Sequence, residues 1–436
     1  MKVEVQDLSS VEKKVMVEIP AERVKDEFEL AFQELQKTAK IKGFRPGKAP
    51  LKLLEAHFKD YIREKVLRKL LEETVPPALD RKQLKPITEP ILDFGELKAG
   101  SAFSYTLQVE VKPRVELKQY QGLEMERELV EVTEEMLEKA IEDLRERQAI
   151  YQEPKEPRPA QKSDLLILDL KAEAGGKNLA NEGGVGIQYS MGAEAYIPGF
   201  AEALAGIKLG EKRTFKVNFP EKHPSPELAG KEVEFTVDLK GLKEKILPEL
   251  NDDFAKEAGG YQNLAELRVK TREQLEGNCQ LISRVRLERN LLDKLVELNP
   301  MEAPQRVVRK RAEELAKDWL NRMGVKEPAE DQLEKMTEEA RPRAEREIKA
   351  GFILEAIIEK EGIQLAPESE EARLKELAER YQIDPSKFRD QMGKEAMERL
   401  RIQWLEQTAL DFLLSGTKIK EKRVKLNETE PGEVGE

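Results

Sequence analysis

The first quarter of the chain alternates between strand-like and helix-like patterns of hydrophobic residues. Apolar residues at every second position over 15–19, and again over 103–111, predict half-buried strands. Between them, apolar residues recur at three- and four-residue steps over 24–39 and 51–62, which is typical of amphipathic helices. We therefore predict that residues 1–112 form a small α+β domain whose sheet supports a protruding helix hairpin.

Two prolines set the expected end of that hairpin. Its second helix is predicted to run from Leu51 to about Val75, because Pro76 and Pro77 lack the amide hydrogens that a helix interior uses. A further short apolar run at 91–94 predicts one more strand.

A lone helical pattern follows this domain. It extends from Thr133 to about Tyr151, and its apolar stripe includes Leu137 and Ile141. No nearby segment offers a matching stripe, so we expect a partner that is distant in sequence. Three prolines among charges at 153–159 then predict a stiff connector and a domain boundary.

The rest of the chain divides into a β-rich part and a helical part. Residues 162–245 alternate apolar and polar positions between glycine-rich turns, with a short helix at 200–205, which predicts an antiparallel half-barrel. From 251 to 415 the pattern is almost wholly helical. The polar tail from Lys418 is predicted to be disordered.

Composition narrows the class of protein. The 436 residues are 37% charged and 39% hydrophobic, which suits long solvated helices in roughly two to four domains. No apolar run approaches a membrane span and the first residues lack a signal-peptide core, so we expect a cytoplasmic protein without membrane contact. Two histidines and the single Cys279 cannot build a zinc cluster or a supported Cys–His pair, so no metal or cofactor is expected.

Charge is concentrated on the predicted hairpin. Residues 37–69 carry eleven Lys/Arg against three acids, a net charge of +8 on a chain whose net charge is −11. The tip between the two helices cannot be helical, because it contains two glycines and two prolines. Its sequence is Gly43-Phe44-Arg45-Pro46-Gly47-Lys48-Ala49-Pro50.

The local chemistry of this tip leaves two interpretations open. In one, Phe44 folds back onto the helices and the cations merely solvate them. In the other, Phe44 is an aromatic anchor that docks with Arg45 on an anionic partner.

The octet resembles the ribosome-binding signature of the bacterial trigger factor family, which is G-F-R-x-G-x-x-P. Gly43, Phe44, Arg45, Gly47 and Pro50 fill its fixed positions. The resemblance implies docking beside the exit tunnel of the large ribosomal subunit, on protein and adjoining rRNA. Residues 43–48 would be the ribosome-binding site, with Phe44 and Arg45 as contacts, although many relatives carry a charge where this chain has Pro46.

A second motif lies in the predicted half-barrel. Tyr196, Ile197, Gly199 and Phe200 precede a short apolar helix, and over roughly 160–243 the chain resembles the FKBP-type peptidyl-prolyl isomerases. The barrier to rotation about an X–Pro bond is about 18–20 kcal/mol, and a water-poor apolar pocket lowers it by disfavouring the planar, dipolar amide. The resemblance implies a pocket wall, the catalytic residues, made of Leu170, Ile187, Tyr189, Ile197, Phe200 and Phe235.

Two departures keep alternatives open for this pocket. The aspartate usual in that family falls near Ala180, and the late-loop tyrosine is absent, with His223 the nearest polar ring. A weak or inactive isomerase that still binds apolar peptide is one alternative, and Ile197 and Phe200 as ordinary core residues are another.

The helical remainder suggests a third activity. Apolar residues crowd around 352–358 and 404–414 among many charges, and most should be buried helix contacts. Those left exposed would hold unfolded chains weakly and without a sequence code. We predict client-binding residues at Phe352, Ile353 and Ile357.

These patterns predict a multidomain α+β protein, and the resemblance to the trigger factor family implies that its all-α C-terminal domain is discontinuous and bears arms. The expected parts are a ribosome-binding domain (1–112), a linker with the first helix of the C-terminal domain (113–150), an FKBP-type domain (151–246), and helices with a disordered tail (247–436). By resemblance to trigger factor, residues 113–150 pack into the helices after 246.

Three hypotheses for function follow. The first is an ATP-independent chaperone that docks on the ribosome, shields nascent polypeptides and isomerises prolyl bonds. The second is a prolyl isomerase whose other domains only deliver substrate. The third is a non-ribosomal helical scaffold with a decayed isomerase domain. Client preference and oligomeric state stay open, including a homodimer formed off the ribosome.

Overall fold

The structure, a computed structural model, describes residues 1–38, 51–174, 177–179, 184–191, 199–219 and 230–424. The chain divides into two units. One consists of Met1–Arg127 with Arg284–Lys422, and the other of Glu128–Ser283 with Arg423–Glu436. Within the described ranges, none of the helices combines the length and the hydrophobicity that a membrane span requires.

The first unit begins with a four-stranded antiparallel sheet. Its strands are β1 (Lys2–Asp7), β2 (Glu12–Ile19), β3 (Ile91–Phe94) and β4 (Phe103–Glu110), in the order β1-β2-β4-β3. Alternate residues of the central strands point into one core, which confirms the period-two prediction. The buried set from β2 and β4 is Val15, Val17, Ile19, Phe103, Tyr105, Leu107 and Val109.

Two helices cover the buried face of this sheet. Helix α1 (Ala21–Thr38) and helix α2 (Leu51–Arg81) contribute Val24, Ile62 and Leu70 to the same core. The prediction that α2 stops near Val75 was wrong, because the helix continues through both prolines to Arg81. Its last turns are held by packing, since Ala78 is fully buried and its neighbours contact the core.

A strand, a helix and a short strand follow along the chain. They are β5 (Glu124–Val130), α3 (Glu134–Arg147) and β6 (Ile150–Gln152). Thr133 caps α3 by accepting a hydrogen bond from the Met136 amide, so the predicted start is confirmed. The predicted end near Tyr151 was wrong, because this residue lies in β6 and pairs with Lys245.

The half-barrel of the second unit is an antiparallel sheet closed by one short helix. The elements are β7 (Leu165–Ala174), β8 (Lys177–Asn178), β9 (Gly184–Ser190), α4 (Phe200–Leu204), β10 (Lys212–Asn218) and β11 (Glu232–Ile246). Strand β11 pairs with β10, β7 and β6, and β7 also pairs with β9. A bulge between Leu239 and Gly241 bends β11 where a Cβ on the glycine would stand 2.9 Å from Ile167.

Six helices complete the described chain: α5 (Asp252–Gly259), α6 (Leu264–Leu298), α7 (Gln305–Arg322), α8 (Glu330–Glu361), α9 (Pro367–Arg380) and α10 (Pro385–Ser415). In the first unit, α6, α8 and α10 bury an aliphatic core that also takes in Leu123 and Met125. We call this cluster the helical core. Its buried members are Leu123, Met125, Leu287, Leu291, Leu295, Ile353, Leu354, Ile357, Ala409, Leu410 and Leu413.

Helix α3 packs against α5 and α6 within the second unit, which confirms the expectation of a partner that is distant in sequence. Leu137 and Ile141 are buried. Leu144 packs with Phe254 and Leu267 from α5 and α6. Glu138 forms an ion pair with Arg268 of α6 at 2.8 Å. The partner is therefore more than a hundred residues away in sequence, which a local pattern cannot reveal.

The predicted disorder from Lys418 was wrong for seven residues. Lys418–Val424 form strand β12, which pairs with β5. The strand is basic and its partner is acidic, so Lys420 approaches Glu124 at 3.7 Å and Arg423 approaches Glu131 at 2.9 Å. Complementary charge across the two strands stabilises a segment whose polarity alone suggested disorder.

Candidate functional site

The half-barrel positions its aromatic residues through strand alternation and one glycine. Phe215 of β10 faces Phe235 of β11 in direct register, so both rings lie on the inner face of the sheet. Phe200 begins helix α4 and reaches the same face, because Gly199 before it adopts φ +87°. A side chain at residue 199 would be strained in this left-handed conformation, so glycine is required for this entry angle.

The ring of Phe200 contacts three other rings. Its centroid lies 5.0 Å from that of Tyr189, 5.2 Å from Phe215 and 5.1 Å from Phe235, each in an edge-on arrangement. Such geometry is favoured because the positive edge of one ring meets the negative face of another. We call Tyr189, Phe200, Phe215 and Phe235 the aromatic pocket.

The pocket is closed below and more open at its rim. Phe200 and Phe235 are almost completely buried. Tyr189, Phe215 and Leu170 are only partly buried while packing on the same core, and Ile187 is also partly buried. A floor of fixed rings beneath partly exposed apolar side chains suits an apolar ligand.

The titratable group of this pocket stays neutral. Burial, followed by the nearby Glu202 carboxylate, raises the pKa of the Tyr189 phenol above its usual value. The phenol is therefore a hydrogen-bond donor and acceptor without charge at neutral pH. Among the described residues, no group of three His, Cys, Asp or Glu side chains is arranged to hold a metal ion.

One arginine fixes the end of the pocket helix. Arg213 on β10 donates from Nη1 to the carbonyls of Ala203 and Ala205 at 2.9 and 3.0 Å. Its Nη2 donates to Glu211 at 2.8 Å, which holds the guanidinium in place. The last carbonyls of α4 are thus satisfied by a side chain from the sheet, and the helix that presents Phe200 is anchored at both ends.

The structure brings most of the predicted pocket residues together. Leu170, Tyr189, Phe200 and Phe235 share one core, and Ile187 lies beside it on β9. Ile197 falls in 192–198, outside the described residues. Phe215 was missed as a pocket residue, although the alternation over 215–219 had placed its strand and would have put its ring on the inner face.

The predicted docking tip lies outside the described residues, which do not include Gly43, Phe44, Arg45, Pro46, Gly47 or Lys48. The helices that lead to it are described. Glu34 accepts a hydrogen bond from Lys65 at 2.6 Å, and Glu27 pairs with Lys69 at 2.9 Å. Part of the cationic charge counted on the hairpin is therefore matched by acids of α1.

The predicted client-binding residues need a correction. Ile353 and Ile357 are fully buried in the helical core, so they offer no surface to a client in this structure. The reason is that α8 presents them to α6 and α10 together, whereas Phe352 on another face is half-buried. Large apolar side chains that are exposed in this unit instead include Trp319, Met323, Tyr381 and Ile402.

Three protein-family models match the chain. The model for bacterial trigger factor protein matches residues 1–144, and the model for its C-terminus matches 263–415. The FKBP-type peptidyl-prolyl cis-trans isomerase model matches residues 156–240. The last match spans the half-barrel and its aromatic pocket.

Whole-chain relatives agree with these models. The trigger factor of Geotalea uraniireducens (strain Rf4) is 33% identical over 429 residues, which cover 97% of this chain and 99% of the relative. The trigger factor of Geobacter sulfurreducens is 33% identical over 424 residues, which cover 96% and 98%. A solved trigger factor chaperone, described for promiscuous substrate recognition in folding and assembly, has 24% identity and a TM-score of 0.49 over 95% of this chain and 99% of that one. This chain belongs to the bacterial trigger factor family and carries that family's FKBP-type domain.

Proposed function

We propose that this chaperone docks at the exit tunnel of the large ribosomal subunit, shields nascent polypeptides without ATP, and isomerises prolyl bonds in its aromatic pocket. The observation that supports the isomerase part is that three rings converge on Phe200. The ring centroids of Tyr189, Phe215 and Phe235 lie 5.0, 5.2 and 5.1 Å from that of Phe200. An X–Pro bond needs no nucleophile or metal to rotate. It needs an apolar site that holds the proline ring and withdraws the amide from water.

The chain's own residues supply these two requirements. The partly exposed side chains of Tyr189 and Phe215 offer an apolar surface to a proline ring, and the buried rings of Phe200 and Phe235 hold them in place from below. The neutral phenol of Tyr189 lies at the rim, where it can donate one hydrogen bond to a client carbonyl. Neither step needs a charged group, so the activity follows from shape and low polarity.

A refolding assay tests the isomerase. Phe200→Leu keeps an apolar side chain but removes the ring on which three others converge, and should abolish acceleration of proline-limited refolding. The matched control is Phe219→Leu, a buried ring of the same core whose centroid lies 6.3 Å from Phe235, which should keep most of the acceleration. Equal activity in both variants would refute the pocket assignment.

The same variants separate the first two hypotheses. If Phe200→Leu loses refolding acceleration but still suppresses aggregation of an unfolded client, holding is the primary activity, which is the result we expect. Loss of both activities, with the domain still folded by circular dichroism, would make the isomerase primary.

Ribosome docking rests on the octet and on the basic hairpin. Phe44→Ala with Arg45→Ala should abolish co-sedimentation with 70S ribosomes, because the anchor ring and its cation are both removed. The control is Tyr61→Ala with Arg63→Ala, which removes an exposed ring and an arginine from the same hairpin away from its tip. Undiminished co-sedimentation of the first variant, or equal loss in the second, would contradict docking through the tip.

For client holding we propose the exposed apolar side chains of the helices rather than the buried ones. Trp319 and Met323 lie at the end of α7 and are each about half exposed. Exposed rings and thioethers set among charges adapt to many sequences. Replacing both by Ser should weaken suppression of aggregation, measured by light scattering, whereas Phe352→Ser should have a smaller effect.

A further inference from the structure

The two edges of the N-terminal sheet differ in how they are protected. Edge strand β1 carries Lys2, Glu4 and Asp7, which form ion pairs at 2.7 Å (Lys2–Glu4) and 3.0 Å (Lys13–Asp7). Edge strand β3 has the sequence Ile91-Leu92-Asp93-Phe94, with one charge and three large apolar residues. Their exposed fractions are 48% for Ile91, 40% for Leu92 and 46% for Phe94. Charged residues normally guard an edge against added strands, and β3 lacks this guard.

The backbone of β3 presents unpaired groups along this edge. Gly95 donates to the Ser104 carbonyl at 3.4 Å, and the register is antiparallel, so residues 91, 93 and 95 direct their hydrogen bonds toward β4. Leu92 and Phe94 therefore direct their N–H and C=O groups outward. Within the described parts of the chain, no strand pairs with these four groups.

The side chains of β3 divide between the two faces of the sheet. Leu92 and Phe94 lie opposite Leu107 and Tyr105, which point to the helix-covered face. Asp93 lies opposite Thr106 on the open face. There it borders a cavity of about 440 Å³ whose lining also includes Glu4 and Glu18. Glu4 and Glu18 lie on β1 and β2, away from the β3 edge, so an added strand would meet Leu92 and Phe94 on one face, and Ile91 with the Asp93 carboxylate on the other.

This arrangement dictates the chemistry of a strand that fits. In an antiparallel pair, residues between the hydrogen-bonded pairs face each other most closely, so the residue opposite Asp93 is favoured when it is Lys or Arg. The residues on either side of it face Leu92 and Phe94 and are favoured when apolar. The matching pattern is apolar–basic–apolar in an extended segment.

A second copy of this chain fits less well. The self-pairing register that uses the outward groups of both residues in both copies places Leu92 opposite Phe94 of the other copy and Phe94 opposite Leu92. That register places Asp93 directly opposite its own equivalent, where the side chains are closest. Like charges in this position are destabilising, so charge complementarity favours a basic segment over self-pairing.

We propose that edge strand β3 is a binding site for extended client segments with the pattern apolar–basic–apolar, which add to the N-terminal sheet as a fifth strand. The site rests on the proposed chaperone function and gives it a second mode of client contact besides apolar side chains. Two outward residues allow four backbone hydrogen bonds, so binding is weak and tolerant of sequence, as an unfolded client requires.

Hydrogen–deuterium exchange on the full chain tests this site. The probe is a fluorescein-labelled peptide Gly-Ser-Leu-Lys-Leu-Ser-Gly, and a second peptide has methyl groups on both leucine amide nitrogens. The first should slow exchange in the segment that contains Leu92 and Phe94, and the methylated peptide should not, because it lacks the N–H groups that an added strand donates. Exchange in β1 should not change with either peptide.

Three variants complete the test by anisotropy of the same probe. Leu92→Pro removes an outward N–H without breaking a hydrogen bond to β4, which edge strands tolerate, and should abolish protection of the segment. Asp93→Lys should weaken the lysine peptide about fivefold and favour a peptide with Glu at its centre. Glu4→Lys, an acid of the opposite edge strand, should leave affinity unchanged.

The outcomes separate this site from the general function. Protection by the methylated peptide, or unchanged protection in Leu92→Pro, overturns strand addition at β3. If exchange in this segment instead falls with protein concentration alone, the occupant is a second copy and the proposal is wrong. Suppression of client aggregation is measured on the same variants. If the unmodified chain suppresses aggregation but its β3 segment gains no protection from the peptide, the β3 site is wrong and the chaperone function stands.

Discussion

The aromatic pocket and the helical core are two apolar clusters that end in opposite roles. In the pocket, three rings converge on Phe200, and two of them, Tyr189 and Phe215, remain partly exposed at the rim. In the helical core, aliphatic side chains from α6, α8 and α10 interdigitate, and Ile353 and Ile357 are fully buried. The sequence predicted a functional surface at both places, from a family motif at the pocket and from crowded apolar residues in the helices.

The difference comes from the elements that carry the residues. A curved sheet covered by a helix of five residues, Phe200–Leu204, leaves part of its apolar face open. In the helical core, side chains from α6, α8 and the part of α10 that follows its kink at Gly393 bury one another in a single cluster. Openness is therefore a property of the covering element and not of the residues that are covered.

The largest effect that tests this comparison is expected in the helical core. Ile353→Ala should lower the free energy of unfolding by about 3 kcal/mol, since it leaves a cavity at a fully buried site. Both tryptophans, Trp319 and Trp404, lie on the helices of the first unit, so their fluorescence reports unfolding of that unit during a urea titration.

The control for this change is Phe352→Ala on the same helix turn, where the side chain is half-buried and the loss should be smaller. An Ile353→Ala variant of normal stability that loses client holding would mean that Ile353 is a client contact after all, and that the comparison fails.

The next effect concerns the pocket rim. Phe215→Ala should reduce acceleration of proline-limited refolding about three- to tenfold, because it removes edge-on contact with Phe200 at 5.2 Å and opens the wall to water. The urea midpoint of unfolding of the first unit, followed by tryptophan fluorescence, should not change.

Thr214→Ala provides the control for Phe215→Ala, since the exposed Thr214 side chain points to the other face of β10. Full activity in Phe215→Ala would show that the rim is only structural, and the pocket would then resemble the helical core.

Much of this arrangement could be predicted from the sequence. Periodicity located most strands of the four- and six-stranded sheets and most of the helical sequence, because side chains alternate on strands and recur every three to four positions on helices. The motif around Phe200 identified the pocket floor. Periodicity could not say which apolar stripes stay uncovered, since this depends on partners far along the chain, as with α3 and Arg268.

The failures have physical causes of the same kind. Helix α2 continues past Pro76 and Pro77 because core packing around Ala78 outweighs the lost hydrogen bonds. Strand β12 forms because it pairs with β5 along the backbone, while Glu124 of β5 and Glu131 just after it face the basic Lys420 and Arg423. Local propensity was overruled in both cases by contacts that only the folded chain supplies.

The smallest effect should come from a carboxyl group beside the helical core. Burial, and then the negative charge of Glu355, raises the pKa of Glu406 on α10 above its usual value. When the pKa of a carboxyl is higher in the folded state than in the unfolded state, ionisation costs more free energy in the folded protein. The free energy of unfolding therefore falls as the pH rises from the unfolded-state pKa through the folded-state pKa. Glu406→Gln should therefore raise the free energy of unfolding at pH 7 by roughly 0.5 kcal/mol. The gain should vanish below about pH 4.5, the ordinary pKa of this group, and a gain that persisted there would show that packing rather than charge was relieved.

No such pH-dependent gain should follow Tyr189→Phe in the aromatic pocket, where the raised pKa keeps the phenol neutral from pH 4 to pH 9. The helical core would then be the cluster that has a poorly solvated charge beside it, on Glu406, and the aromatic pocket would be the cluster that contains no charged group at neutral pH.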